Sequence, residues 1–165
     1  MHAQARGTLT MVHRKKLTAD QALQRAKLYC AYQERCHAET KQKLYSFGLF
    51  KNEVDRIVSS LIEEDYLNEE RFAMAYARGK FRMKHWGRMK IMHELKQKSV
   101  SRYCITKAIK QIEEDEYLEV LARLAREKFK ELSDEQNELM RKKKVHDYLL
   151  QKGYERDLIF SIIKE

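Results

Sequence analysis

Proline is missing from all 165 residues, and glycine occurs only five times, at Gly7, Gly48, Gly79, Gly87 and Gly153. Average usage would supply roughly 8 prolines and about 12 glycines in such a length. Sandwiches and barrels need turn residues every 8 to 12 positions or so, and a turn-rich sheet is therefore excluded. Long apolar runs are missing too: the longest, Leu158 to Ile163, falls far short of the ~18 residues a membrane-crossing helix needs. The start of the chain, with its scattered His and Arg, has no signal-peptide core, so a cytoplasmic location is expected. Phosphate-cradling loops require clustered glycines that let backbone amides approach an anion. No two glycines here lie closer than Gly79 and Gly87, which excludes a P-loop and a dinucleotide fingerprint.

Cysteine is scarce and unpaired by pattern. Cys30, Cys36 and Cys104 form no C-x-x-C motif, and three cysteines without an export signal read as reduced structural residues. His37, His85, His93 and His146 stand in no H-E-x-x-H or Cys/His finger spacing, so neither a metal nor any other cofactor is expected. The acidic clusters Glu63-Glu64-Asp65 and Glu113 to Glu116 lie near helix boundaries amid solvated charge. They read as exposed surface rather than as general acid and base pairs, and an enzyme is not expected.

What is present is helix-forming. Ala, Leu, Glu, Lys, Arg, Gln and Met fill the chain from residue 18 onward, which makes the fold class all-α. Hydrophobic residues, 43% of the chain, can build a core, and charged residues, 36%, leave much surface to keep wet. Aligning Leu44, Leu95 and Leu149 reveals a repeat, because each is followed four residues later by Gly48, Ser99 and Gly153. Leu49, Val100 and Tyr154 come next, then Val54, Ile105 and Ile159, then Ile57/Val58, Ala108/Ile109 and Ile162/Ile163. Apolar positions recurring at i, i+3 and i+4 give each copy the period of a helix face.

Each copy reads as helix, helix, tight turn, helix, with the Gly or Ser where a left-handed cap reverses the chain. Thr18 and Gln21 form a capping box for a helix predicted to reach about Arg35, followed by helices over 37–47 and 51–64. Asn68 caps the next helix, followed by 88–98 and 101–112; the third copy has helices from about Asp115, over about 135–151, and over 154–164. The expected organisation is an irregular tail over 1–17 and three-helix repeats over 18–67, 68–114 and 115–165. Trios of this size are marginal alone, so they are expected to stack into an elongated, curved monomer that suits a long partner.

Residues 78–110 hold eleven Lys or Arg and a single acid, Glu94. A field of one sign attracts phosphates and steers association; the alternative is a solvated face that serves solubility. The candidate binding residues are Arg71, Arg78, Lys80, Arg82, Lys84, Trp86, Arg88, Lys90, Lys96 and Lys98, extended in the third repeat by Arg141, Lys142, Lys143 and Lys144. Among these, Arg82, Lys84, Arg88 and Lys90 are expected to face such a long partner, the groove of a filament or a strand of nucleic acid. Trp86, the only Trp, sits in a basic connection where it could stack on an unpaired base or anchor one helix turn on the next. Phe72, Tyr76 and Met83, at helical spacing, read as core.

At these residues the sequence resembles the RecX regulatory proteins, which modulate the bacterial recombinase RecA. Family motifs close to R-S-x-x-E-L-x-x-K-L, Y-L-[DN]-[DE]-x-R-F-A and W-G-x-x-[KR]-I-x-x-E-L have counterparts here. They are Arg35 to Leu44, Tyr66 to Ala73, and Trp86 to Leu95. Cys36 and Thr40 replace the usual Ser and Leu, and Ser99-Val100 replaces the usual Gly-Ile turn. The third repeat resembles the family mainly by pattern, and residues 1–17 do not. The resemblance implies three-helix repeats lying along the groove of the RecA filament, touching the recombinase and the enclosed single strand. It further implies that binding limits filament growth, ATP hydrolysis, strand exchange and stimulation of repressor self-cleavage. A helical module reading duplex DNA grooves, like a transcription regulator, is the competing expectation.

Overall fold

A computed structural model describes residues 16–164; the expected tail therefore lies outside the described residues up to residue 15. The described residues form nine helices. They are α1 (Ala19–Tyr32), α2 (His37–Ser46), α3 (Lys51–Glu63), α4 (Glu69–Lys84), α5 (Arg88–Gln97), α6 (Arg102–Lys110), α7 (Glu114–Glu131), α8 (Glu138–Lys152) and α9 (Arg156–Lys164). Packing between helices is concentrated inside the trios α1–α3, α4–α6 and α7–α9. The chain is a tandem helical repeat, as the register of Leu44, Leu95 and Leu149 predicts; all three leucines are fully buried.

Local chemistry explains the boundaries. Thr18 Oγ1 accepts from the Gln21 N–H while the Gln21 side chain accepts from the Thr18 N–H, closing the predicted capping box. Asn68 caps α4 by accepting from the Arg71 N–H at 2.9 Å. Cys36 stands in the cap position of α2 and its Sγ accepts, at 3.5 Å, from the Glu39 N–H. Gly48, Ser99 and Gly153 all take positive φ, at 83°, 59° and 95°, which reverses the chain before the third helix of each trio.

Several expectations are corrected. The first helix ends at Tyr32 rather than about Arg35, because Gln33 turns extended and the next residues are used elsewhere: Glu34 pairs with Arg71, and Arg35 stacks on the Tyr29 ring. Helix α8 starts at Glu138, not Glu135, since Asn137 supplies the cap and Glu135 pairs with Lys144. Helix α9 starts two residues later than predicted, leaving Tyr154 in the turn with its ring buried. Met83 is 80% exposed and is not core; Phe72 is buried. Leu17 is irregular in backbone yet attached to the first trio, where its N–H donates to the Phe47 carbonyl at 3.1 Å.

The core is divided unevenly. The first trio encloses its own cluster around Leu44, Val54 and Leu61. The second and third trios share one continuous cluster running from Phe72 through Phe81, Ile91 and Tyr117 to Val145 and Ile159. The second joint is therefore an extensive packed interior, whereas the first trio adds Cys36 and Ala38 to that shared cluster. A fragment ending at residue 114 is expected to keep a cooperative first trio but to melt the second at lower temperature, because Phe81 loses the Tyr117 ring 5.7 Å away. Thermal unfolding followed by circular dichroism would check this; an unchanged second transition would refute a shared core.

Candidate functional site

The basic stretch 84–90 is a crossing of two turns. His85 ends α4 in the left-handed region, with φ 54°, and Gly87 starts α5. The Gly87 N–H donates to the Lys152 carbonyl at 2.8 Å, and the Met89 N–H donates to the Gly153 carbonyl at 3.0 Å. A Cβ on Gly87 would lie 2.2 Å from the Gly153 oxygen, so only glycine lets the two backbones approach this closely. The crossing is reinforced by Tyr154 Oη donating to the His85 carbonyl and Lys152 Nζ donating to the Lys84 carbonyl.

Beneath it lies Tyr117, fully buried. Its hydroxyl accepts from the Arg88 N–H at 2.9 Å and donates to Glu155 at 2.6 Å. Burial, reinforced by the Glu155 carboxylate, pushes its phenol far above the usual tyrosine range, so the proton stays on at any physiological pH. Arg88 turns inward: its side chain is only 16% exposed, its guanidinium lies 3.9 Å from the Tyr117 ring centre, and it pairs with Glu114 and Glu155. The expectation that Arg88 faces a partner is therefore corrected. Its charge is engaged by acids from the third trio. Replacing Arg88 with Ala is expected to cost about 1 to 3 kcal/mol, since half-buried Glu155 loses its cation. Chemical denaturation would check this; a stability change within a few tenths of a kcal/mol would show that the network is incidental.

Other candidates also bind within the chain. Arg71 pairs with Glu34 at 2.5 Å and with Asp65 at 3.1 Å, and Lys98 pairs with Glu39 at 2.6 Å, joining the first two trios. Both cations are held above their ordinary pKa chiefly by the hydrogen-bonded acids, Glu34 for Arg71 and Glu39 for Lys98. In the third trio Arg141 donates to the Phe129 carbonyl, Lys142 pairs with Glu138, and Lys144 pairs with Glu135.

Trp86 is half-buried and packs against the shared core, with Lys80 Nζ 4.9 Å and Lys90 Nζ 4.6 Å from its ring centre. Packing as an anchor is thus visible, and each ammonium group gains a cation–π contact. Replacing Trp86 with Ala is expected to lower both the melting temperature and the affinity for a polyanion, because it removes the platform of two lysines. If stability falls while affinity for single-stranded DNA is unmoved, that platform plays no part in binding.

Among the described residues, Arg78, Arg82, Lys84, Lys96 and Lys143 are exposed and form no ion pair. Arg78 and Arg82, one turn apart on α4, border a cavity of about 240 Å³ whose other walls include Glu113 and Glu116. No group of three or more His, Cys, Asp or Glu able to hold a metal occurs among the described residues. The acidic clusters are exposed as expected, but Glu64, Asp65 and Glu114 act as ion-pair partners. Tyr117 and Glu155 were not singled out by sequence; nothing in a tyrosine on an apolar helix stripe reveals what its hydroxyl meets.

Three-helix trios in a row, with exposed cations, unpaired among the described residues, that include Arg78, Arg82, Lys84, Lys96 and Lys143, define a modular helical protein with a basic surface. Family models described as "RecX, second three-helix domain" and "RecX, third three-helix domain" match residues 68–109 and 114–163, together more than half of the chain. The chain belongs to the RecX family. Regulatory protein RecX of Bacillus cytotoxicus is 26% identical over 137 residues, 83% of this chain and 50% of the relative. That of Bacillus cereus strain B4264 is 30% identical over 142 residues, with the same shares covered. The chain thus spans about half the length of the curated relatives it matches. A crystal structure of regulatory protein RecX superposes with a TM-score of 0.81 at 24% identity, covering 89% of this chain and 72% of the other. RecX from Lactobacillus salivarius does so at 0.79 and 24%, covering 88% and 94%. Both show the same fold. No helix among the described residues is long and apolar enough to cross a membrane.

Proposed function

We propose that this protein binds the RecA–DNA filament along its groove and restrains filament growth, ATP hydrolysis and strand exchange, in homologous recombination and the SOS response. The observation that carries the reading is the set of exposed, unpaired cations Arg78, Arg82, Lys84 and Lys96 on the second trio of a RecX-family chain. Exposed cations without an ion pair suit a polyanion, because neutralising phosphates releases counterions. A row of trios suits a long, repetitive partner. In this reading the protein acts in the cytoplasm as a monomer, without a cofactor and without chemistry of its own. Affinity for free single-stranded DNA, and for duplex, is weak and salt-dependent.

The test is RecA ATPase on single-stranded DNA titrated with the protein. Inhibition is expected, and inhibition by far fewer molecules than recombinase subunits would mark action at filament ends rather than coating of the groove. No inhibition at any ratio, together with sequence-selective duplex binding, would replace this reading by that of a transcription-regulator-like module.

A further inference from the structure

One cavity differs in kind from the acid-rimmed one on α4. Leu139 and His146 of α8 and Phe160 and Ile163 of α9 line a trough of about 250 Å³, with Lys142 and Lys143 completing its walls. Leu139 is 77% exposed and Phe160 is 52% exposed, although both are large apolar side chains. His146 lies against the Phe160 ring, 5.2 Å between centres, and its Nε2 is buried in the lining without a hydrogen-bond partner. Lys142 pairs with Glu138 and His146 contacts Asp147, whereas Leu139, Lys143, Phe160 and Ile163 enter no ion pair among the described residues.

We propose that this trough docks a short, acidic, amphipathic helix on the protein component of the filament, a proposal that rests on the filament reading above. Helix shape follows from the lining. Leu139, Lys142, Lys143 and His146 recur at i, i+3, i+4 and i+7 on α8, and Phe160 and Ile163 recur at i and i+3 on α9. That stripe is about 10 Å long, two turns of a helix that inserts side chains at i and i+3 or i+4. Acidity follows from charge. α8 carries five cations, Arg141 to Lys144 and Lys152, against Glu138 and Asp147, and Lys143 has no ion pair among the described residues. A carboxylate beside the apolar anchor would meet the unpaired Lys143 ammonium first and share Lys142 with Glu138, both stems forming the wall.

Two other occupants fit less well. A second copy of this chain carries a formal net charge of +9 and would bring more cations to a cationic rim. A stable dimer also needs roughly 800 Å² per partner, far more than a trough for one or two side chains supplies. Bases of a single strand stack on open aromatic faces in series, whereas the trough offers one phenyl ring, tilted against His146.

The experiment compares the full chain with Phe160→Glu and, independently, Leu139→Glu, both at exposed positions and each checked for retained helix by circular dichroism. Fluorescence anisotropy of the labelled chain would read binding to RecA filament assembled on single-stranded DNA, and to the naked strand. At least tenfold weaker filament binding by both variants, with naked-strand affinity unchanged, is the expected result. A Lys142→Glu/Lys143→Glu variant should fall likewise. Parent-like filament binding by the two apolar-site variants overturns the docking proposal while leaving the filament reading intact. Failure of the parent to bind filament overturns both. Equal loss for filament and naked strand makes the trough a nucleic-acid surface, and a parent dimer in sedimentation that Phe160→Glu converts to monomer makes it a self-association site. Either result also overturns the proposal.

Discussion

Replacing Gly87 with Ala is expected to destabilise the protein by about 3 to 5 kcal/mol, on the order of 10 °C in melting temperature. The added methyl group would meet the Gly153 oxygen and carbon and the Tyr154 nitrogen, all within 2.4 Å, and backbone cannot swing aside as a flexible side chain would. Relief requires α8 and α9 to move away from α4 and α5. That movement breaks the Gly87 and Met89 bonds to the opposite turn and the Tyr154 bond to His85, each contributing about 1 kcal/mol. Gly79 is the control within the same trio. It lies in α4 with nothing within 4 Å of its would-be Cβ, so Gly79→Ala should be neutral or stabilising by up to ~1 kcal/mol. Calorimetry on both variants decides: a Gly87→Ala protein as stable as Gly79→Ala would mean that the two turns do not cross as described.

The second large effect is electrostatic. Replacing Arg78, Arg82, Lys84 and Lys96 together with Ala is expected to change stability by only a few tenths of a kcal/mol per site, since all four are exposed and pair with nothing among the described residues. Binding should suffer far more. If all four approach single-strand phosphates, the slope of log affinity against log salt should shallow by ~0.7 per lost contact, almost 3 in total. If they meet acids on the recombinase instead, filament affinity should fall while naked-strand affinity hardly moves. Arg88→Ala should do the converse, costing stability with little change in slope, because its guanidinium already answers Glu114 and Glu155. A quadruple variant that inhibits RecA ATPase as well as the parent at physiological salt would remove this surface from the binding site.

The basic block between Arg78 and Lys110 is visible in the sequence as composition, but composition cannot say where a long side chain goes. Arg88 and Lys84 are four residues apart and equally cationic; one is 16% exposed between two carboxylates and an aromatic ring, and the other is exposed at the end of α4. The difference arises because Glu114 and Glu155, distant in sequence, arrive beside Arg88 only when the third trio packs. Arg71 and Lys98 behave in the same way toward Glu34 and Glu39.

Sequence alone determined what depends on near neighbours. With no proline and five glycines, a turn-rich sheet was disfavoured, and the 3.6-residue period of the apolar positions marked the buried faces of helices. Thr18 with Gln21, and Asn68, marked two helix starts, while Gly48, Ser99 and Gly153 marked three reversals, because capping and positive φ are settled within a few residues. Tertiary structure alone decided that the second and third trios share a core while the first keeps its own and contributes Cys36 and Ala38 to the shared one. It alone made the basic turn around Gly87 a joint, pressed against Gly153, 66 residues away in the chain. Desolvation and ion pairing depend on what is brought within a few ångströms, and for these cations those partners come from another trio.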